Sequence, residues 1–294
     1  MNASSIKRYQ VRLQRVLEHI EAHLGDELTV EALSDVAAFS KHHFHRQFTS
    51  LFGIGVYRYV QLARLKRASY RLAFRDDDSI LEIALDSGYE GPEAFARAFK
   101  QQIGQTPSGF REQPQWKPWY ALYRPISDMK AIHMKRDWQL DRVKLVDTKD
   151  LRVLVLEHRG DPALLGDSIR RFIAWRKTVG LPPRLGPTFN ILYDDPTTTP
   201  PDAFRLDLCV ASDRALGADD TGLVAKMIPG GRCAVLRHVG SDDTFNDAAE
   251  FLYGTWLPQS GEEMRDVPFY CQRVAFFPDV PEHEAVTDLF LPLK

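Results

Sequence analysis

Two short stretches of this 294-residue chain set basic side chains between paired phenylalanines. Phe44-His45-Arg46-Gln47-Phe48 is followed five residues on by Gly53, and Phe95-Ala96-Arg97-Ala98-Phe99 is followed five residues on by Gly104. The two copies of F-x-R-x-F-x4-G lie 51 positions apart (95 minus 44), and an internal repeat orders everything else in a reading. Phenylalanines at i, i+4 share one helix face. If that face is buried, Lys41, His42, His45, Arg46 and Thr49 face outward in the first copy, and Glu93, Ala96, Arg97 and Lys100 in the second. Cationic and hydrogen-bonding groups on the exposed N-terminal half of a helix can donate to base edges in a major groove. The cluster His42-His43-His45 could also suggest a metal, but His43 points away from the other two and no Cys or carboxylate completes a site. His19 and His23 share a helix face and read as solvated.

The elements that must position these residues follow from periodicity and caps. Residues 6–24 carry Ile6, Tyr9, Leu13, Val16, Leu17, Ile20 and Leu24 at helical spacing, with charged residues, Lys7 and Arg8 among them, in between. Thr29 caps a short helix over 30–37, Ala37-Ala38-Phe39 turns, and Ser40 caps a helix to about Leu51 with Phe44, Phe48 and Leu51 inward. A short helix, a tight turn and a second capped helix form a helix-turn-helix. A long helix over 56–74 follows, then Ser79 caps 80–86, Gly88-Tyr89-Glu90-Gly91 turns, and Pro92 opens the second outward-facing helix, stopped by Gly104. The basic run of 56–74 (Arg58, Arg64, Lys66, Arg67, Arg71) divides between a wet face and phosphate contacts, about half to each. One long helix between two such units would hold them near one turn of DNA, ~34 Å, apart.

On these residues, 6–111 resembles the DNA-binding domain of the AraC/XylS family of transcription regulators. The second unit carries the resemblance through Gly88-Tyr89, Phe95-Ala96-Arg97-Ala98-Phe99-Lys100, Gly104-Gln105-Thr106-Pro107 and Phe110-Arg111. The first carries it through Leu33, Ala37, Phe39-Ser40, His43-Phe44-His45-Arg46 and Gly53. The resemblance implies double-stranded promoter or operator DNA as partner, read by Ser40, Lys41, His42, His45, Arg46 and Thr49 and by Pro92, Glu93, Arg97 and Lys100. Pro92 and Glu93 depart from the neutral polar residues usual there. The first helix is therefore expected to carry more of the sequence readout.

The totals constrain this without announcing it. Net charge is −2; residues 1–115 hold 15 Lys+Arg against 14 Asp+Glu, and the remainder 23 against 26, so any case for DNA rests on where charges sit. Hydrophobic content of 44% and charged content of 27% fit a soluble globular protein. Neither a membrane span nor a signal-peptide h-region is present. Three well-separated cysteines, Cys209, Cys233 and Cys271, fit reduced thiols and a cytoplasmic location.

The domain reading is 1–112 for the double helix-turn-helix, 113–137 for a linker, and 138–294 for a second domain. The linker rests on Gln113–Trp119 and Arg124-Pro125, prolines and aromatics without periodicity. Beyond it, Arg152–Gly160 reads as a strand, 163–179 as an amphipathic helix, and Phe189–Tyr193 and Phe204–Val210 as strands. The pattern repeats in Arg232–Gly240, a helix over 244–257, Phe269–Val274 and Thr287–Leu293, the first strands sharing V-L-x-H-x-G. The expected fold is multi-domain: N-terminal all-α double helix-turn-helix, then a C-terminal α+β domain of duplicated strand-helix-strand-strand units with a crevice between its halves.

Residues 140–294 resemble the GyrI-like small-molecule-binding domain, on the duplicated V-L-x-H-x-G and the ending Thr287-Asp288-Leu289-Phe290-Leu291-Pro292-Leu293. The resemblance implies a cleft for hydrophobic, often cationic, ligands with a buried glutamate. That position falls on Cys271, so the charge partner of a buried cation is missing, and an uncharged or aromatic effector, or cation–π contact alone, fits better. Candidate ligand residues are Asn190, Tyr193, Tyr253, Trp256, Tyr270, Cys271 and Arg273. Strand alternation puts Phe269, Cys271 and Arg273 on one face and Tyr270 and Gln272 on the other, so one pocket cannot hold them all.

The leading expectation is a DNA-binding transcription regulator modulated by a small hydrophobic ligand, not an enzyme, with no cofactor and no metal. RNA polymerase is a further candidate partner. The alternatives are a second domain that is a protein-interaction module, or a small-molecule hydrolase fused to a DNA-binding domain. A hydrolase would need Cys271 activated by a base, and His158 and His238 end the equivalent strands without being brought to it by sequence.

Overall fold

The apolar positions of the first helix recur every three or four residues, and in the computed structural model Leu13, Val16 and Ile20 on that stripe are fully buried. The structure describes residues 3–294, with side chains from Arg8 onward; Met1, Asn2 and the side chains of Ile6 and Lys7 lie outside the described residues. Two compact units result. Among the described residues no helix is long and apolar enough to cross a membrane.

Unit 1 comprises Met1–Lys135 with two short segments from later in the chain, Ser241–Thr244 and Phe277–His283. Its helices are α1 (Ala3–Ala22), α2 (Val30–Val36), α3 (Lys41–Phe52), α4 (Val56–Phe74), α5 (Ile80–Asp86), α6 (Pro92–Ile103), α7 (Pro107–Glu112) and α8 (Trp116–His133). The caps fall where side chains can supply them. Thr29 accepts from the Ala32 amide, Ser79 and Glu82 form a reciprocal capping box, and Thr106 accepts from the Gly109 amide. At the end of α3, Phe52 is buried while Leu51 is only half-buried. Phe52 completes an i, i+4 row with Phe44 and Phe48 and takes the inward place expected of Leu51.

The segment read as a linker is instead helical. Trp116, Trp119 and Tyr123, at i, i+3 and i+7, are 4%, 7% and 4% exposed and form the buried stripe of α8. Pro118 lies in the first turn, where no backbone donor is needed, and Pro125 interrupts only one interior hydrogen bond. The prolines hid a periodic pattern.

Unit 2 is built on one eight-stranded antiparallel sheet. Its strands are β1 (Val143–Thr148), β2 (Leu151–Arg159), β3 (Thr188–Leu192), β4 (Arg205–Ala211), β5 (Leu223–Ile228), β6 (Gly231–Val239), β7 (Phe269–Ala275) and β8 (Val286–Pro292). They run in the order β1-β6-β8-β7-β3-β4-β2-β5. Each half is therefore strand-strand-helix-strand-strand, one edge strand more than expected. β1 and β5 were missed because their burial is weak and irregular, as suits an edge. Helix α9 (Leu165–Thr178) serves the first half. In the second, α10 (Phe245–Phe251) widens through a π-turn at Leu252–Trp256 into α11 (Leu257–Ser260). Pro258 explains the widening: its ring crowds the Gly254 carbonyl one turn back and it offers no amide.

One sheet face carries two separate apolar cores. Leu154, Leu156, Leu206, Leu208 and Val210 pack with Phe172 of α9, while Ala234, Leu236, Leu289 and Leu291 pack with Ala248 and Phe251 of α10. The opposite face buries Val153, Val155, Phe189, Ile191, Cys209, Cys233 and Tyr270.

Candidate nucleic-acid interface and ligand site

The two repeat helices, α3 and α6, are fixed by the same devices. Phe44, Phe48, Phe95 and Phe99 are fully buried. Gly53 and Gly104 close their helices in the left-handed conformation, at φ 68° and 83°. The turns before them match too: the Phe39 amide donates to Ser34 O at 3.0 Å and the Tyr89 amide to Ala84 O at 3.1 Å. The residues at the left-handed position of each turn are Ala38 (φ 51°) and Gly88 (φ 72°).

With the phenylalanines anchored, Lys41, His42, His45 and Arg46 are exposed on α3, and Glu93, Arg97 and Lys100 on α6, while Pro92 is half-buried at the α6 start. Ser40 caps α3 by accepting from the His43 amide at 3.4 Å. Lys41 pairs with Glu31 of α2, whose carboxyl it holds below its ordinary range. Thr49 departs from its expected outward place: its hydroxyl oxygen is buried and without a partner among the described residues. It lies one turn beyond Arg46, on the flank of the buried Phe48.

Four of the five basic residues of α4, Arg58, Arg64, Lys66 and Arg71, make contacts within the protein. Arg64 donates to Leu24 O at 2.8 Å and to Asp26 O at 2.6 Å, tying down the end of α1. Arg71 pairs with Asp78 and Asp86, both at 2.6 Å, and Arg58 donates to Gln61 at 2.9 Å. Lys66 is buried among carboxylates. Periodicity alone could not separate Arg64, Lys66 and Arg71 from a wet face, because their partners lie in other elements.

In unit 2 the two halves meet at β3 and β7, where Asn190 stands opposite Cys271. Asn190, Cys271, Arg273 and Thr287 form a polar strip on the helix-covered face, between the two apolar cores. Arg273 Nε donates to Asn190 Oδ1 at 3.0 Å and Nη1 to Thr287 Oγ1 at 3.3 Å. Asn190 Nδ2 donates to Asp207 O at 3.4 Å. Phe245, at the start of α10, lies under the Arg273 guanidinium, 5.6 Å from ring centroid to charge. Phe245 and Thr287 were not among the expected ligand residues; strand alternation from Leu289 would have placed Thr287 on this face.

The other candidates divide. Trp256 is buried in the α10 core, and Tyr253 is 40% exposed with its ring 5.6 Å from Phe269. Tyr193 and Tyr270 lie on the opposite sheet face and are not brought to the strip. There the Tyr193 hydroxyl donates to Asp207 at 2.9 Å, and Tyr270 stacks on Phe290 at 4.7 Å. His158 binds Ser168 Oγ through Nδ1 at 2.9 Å, under α9, and burial lowers its pKa.

Comparison with known proteins extends this geometry. Residues 142–294 match the GyrI-like small molecule binding domain, and residues 33–113 match a helix-turn-helix domain. The chain is 38% identical over 152 residues to the probable transcriptional regulator YgiV of Escherichia coli (strain K12), covering 51% of this chain and 95% of that protein. It is 37% identical over 103 residues to the uncharacterized HTH-type transcriptional regulator YbfP of Bacillus subtilis (strain 168), 35% of each chain. A solved structure of the AdpA DNA-binding domain with a target DNA aligns at 29% identity, over 39% of this chain and 96% of that one, with a TM-score of 0.33. The chain thus belongs to the GyrI-like small-molecule-binding family and joins that domain to an AraC-type helix-turn-helix domain, the composition of a transcription regulator.

Proposed function

We propose that the protein binds operator DNA through α3 and α6 and that a small molecule held on the polar strip of unit 2 modulates this binding. One observation carries the first part. Two equivalent helices bury their phenylalanines completely and so present Lys41, His42, His45 and Arg46, and Glu93, Arg97 and Lys100, to solvent. Side chains locked in direction by packing can reach base edges with little further ordering cost. The second part is supported by the strip itself: an amide, a thiol, a hydroxyl and a guanidinium between two apolar cores, beside Phe245. Cys271, fully buried, occupies the place expected for an acid, and Arg273 adds a positive charge two residues away. A cationic ligand finds no carboxylate on the strip, whereas a flat, uncharged aromatic one meets apolar neighbours and a few polar contacts.

Duplexes selected from a random pool by the full chain provide the test. Arg46→Ala and Arg97→Ala should each weaken specific binding by about 1–3 kcal/mol, with the larger loss at Arg46, and should relax base preference at separate positions. Unchanged affinity in both variants would remove the assignment of α3 and α6. For the ligand, neutral aromatic compounds should perturb the protein's tryptophan fluorescence, and tetraphenylphosphonium should not.

A further inference from the structure

Unit 1 contains a buried charge cluster that the DNA-facing surface does not use. Lys130 of α8 lies 3.2 Å from Glu21, 3.4 Å from Asp243 and 2.8 Å from Glu282. Lys66, midway along α4, pairs with the same Asp243 at 3.2 Å and Glu282 at 2.5 Å. These five side chains are only 7–15% exposed. His283 stands 3.6 Å from Glu21 at the cluster's edge. Burial opposes charge on both lysines, yet Asp243 and Glu282 keep the pKa of each above its ordinary value.

Asp243 and Glu282 arrive on the two short segments that belong to unit 1 although the chain on either side of each belongs to unit 2. Ser241–Thr244 runs from β6 to α10, and Phe277–His283 joins β7 to β8. The strand bearing Cys271 and Arg273 therefore leads within a few residues to Phe277 and then to Glu282. Asp279, on the same segment, holds Arg75 at the end of α4 through two hydrogen bonds of 2.6 Å.

From this cluster two rows of packed rings reach the two recognition helices. The Lys130 ammonium lies 5.9 Å from the Tyr59 ring, which meets Phe48 of α3 at 5.5 Å. Phe277 meets Tyr70 at 5.0 Å; the row continues through Trp119, Trp116 and Phe110 to Phe99 of α6, each step 5.4–5.5 Å.

We propose that the cluster of Glu21, Lys66, Lys130, Asp243 and Glu282 is a coupling switch, through which the position of segments 241–244 and 277–283 sets the operator affinity of α3 and α6. This rests on the reading that unit 2 takes a ligand and unit 1 binds DNA. A buried ionic cluster does not deform smoothly. Withdrawing one carboxylate leaves a lysine charge buried and short of a partner, so the site favours discrete arrangements over intermediate ones. Close-packed rings pass such a step on as a displacement.

The test uses the full chain and operator duplexes selected by the wild-type protein. Glu282→Gln and Asp243→Asn loosen the cluster, and Asp279→Asn releases the same segment at an exposed site without stranding a buried charge. Expected are operator dissociation constants shifted threefold or more in all three, with faster amide exchange in 277–283 and altered exchange in α6. Arg237→Ala, which removes the exposed member of the Arg237–Asp288 pair, should leave affinity within twofold. The proposal is overturned if Asp279→Asn and whichever buried-site variants fold raise exchange in 277–283 yet bind operator within twofold of wild type. If the wild-type chain selects no sequence at all, the DNA-binding reading itself fails, and that outcome is visible before any variant is made.

Discussion

Ala38 and Gly88 hold the same place in the two helix-turn-helix turns, both at positive φ, yet only one is glycine. A Cβ in the left-handed region costs roughly 1–2 kcal/mol, and glycine's extra unfolded-state freedom returns 0.5–1 of that. Ala38→Gly should therefore stabilise the protein by up to about 1 kcal/mol, measured by urea unfolding. The reverse change at Gly104 tests the same reasoning. Nothing lies within 4 Å of a Cβ built there, so Gly104→Ala carries no clash and should cost only the conformational term, about 1 kcal/mol. A much larger loss would mean that Gly104 is needed for space rather than for φ. At Gly88 the outcome differs, because a Cβ would come within 2.6 Å of the Arg64 guanidinium. Gly88→Ala should be worse than Gly104→Ala by the cost of displacing Arg64 from the carbonyls of Leu24 and Asp26.

Elements were legible in the sequence to the degree that their signals were local. The starts of α2, α3, α5 and α6 follow from Thr29, Ser40, Ser79 and Pro92, and the ends of α3 and α6 from Gly53 and Gly104, all acting within a few residues of the helix end. The outward set on α3 and α6 follows from the phenylalanines, which share those helices. Where a signal was masked or diluted, the reading failed. Two prolines concealed the buried stripe of α8, and edge strands β1 and β5 lack a clean alternation because one side of each has no neighbour. The helical reading of 116–133 has a direct consequence. Trp116 is 4% exposed and packs against Phe74, Phe110 and Trp119. Trp116→Ala should then cost about 3–5 kcal/mol, as for other large aromatic truncations in a core. A surface linker would give a change within ±0.5 kcal/mol, so a single unfolding curve separates the two.

At the scale of the whole molecule, the formal charge of −2 conceals where charge matters. The cluster around Lys66 and Lys130 joins residues as far apart as Lys66 and Glu282, 216 positions (282 minus 66), and no local pattern announces it. Its behaviour in acid follows from the pairing. Burial by itself would raise the Glu282 pKa, but Lys130 and Lys66 reverse this and hold it down at about 2; Asp243 is lowered by the same two lysines. The unfolded-state value for Glu is about 4.3. A carboxyl depressed in the folded state contributes its full stability above the unfolded value and loses it as pH falls from there through the folded one. Replacing it by Gln mimics the protonated acid at every pH. Glu282→Gln should therefore be less stable than wild type by about 3 kcal/mol at pH 7, the cost of leaving buried lysines short of a partner. The gap should persist down to about pH 5, narrow between about pH 4.3 and 2, and nearly close at the acid end. Urea unfolding of the two proteins across this range, compared at each pH, removes the contribution of carboxylates outside the cluster, since those titrate alike in both. A gap independent of pH would show that the loss comes from packing around the amide, and that the ion pairs with Lys66 and Lys130 contribute little to holding segment 277–283 in place.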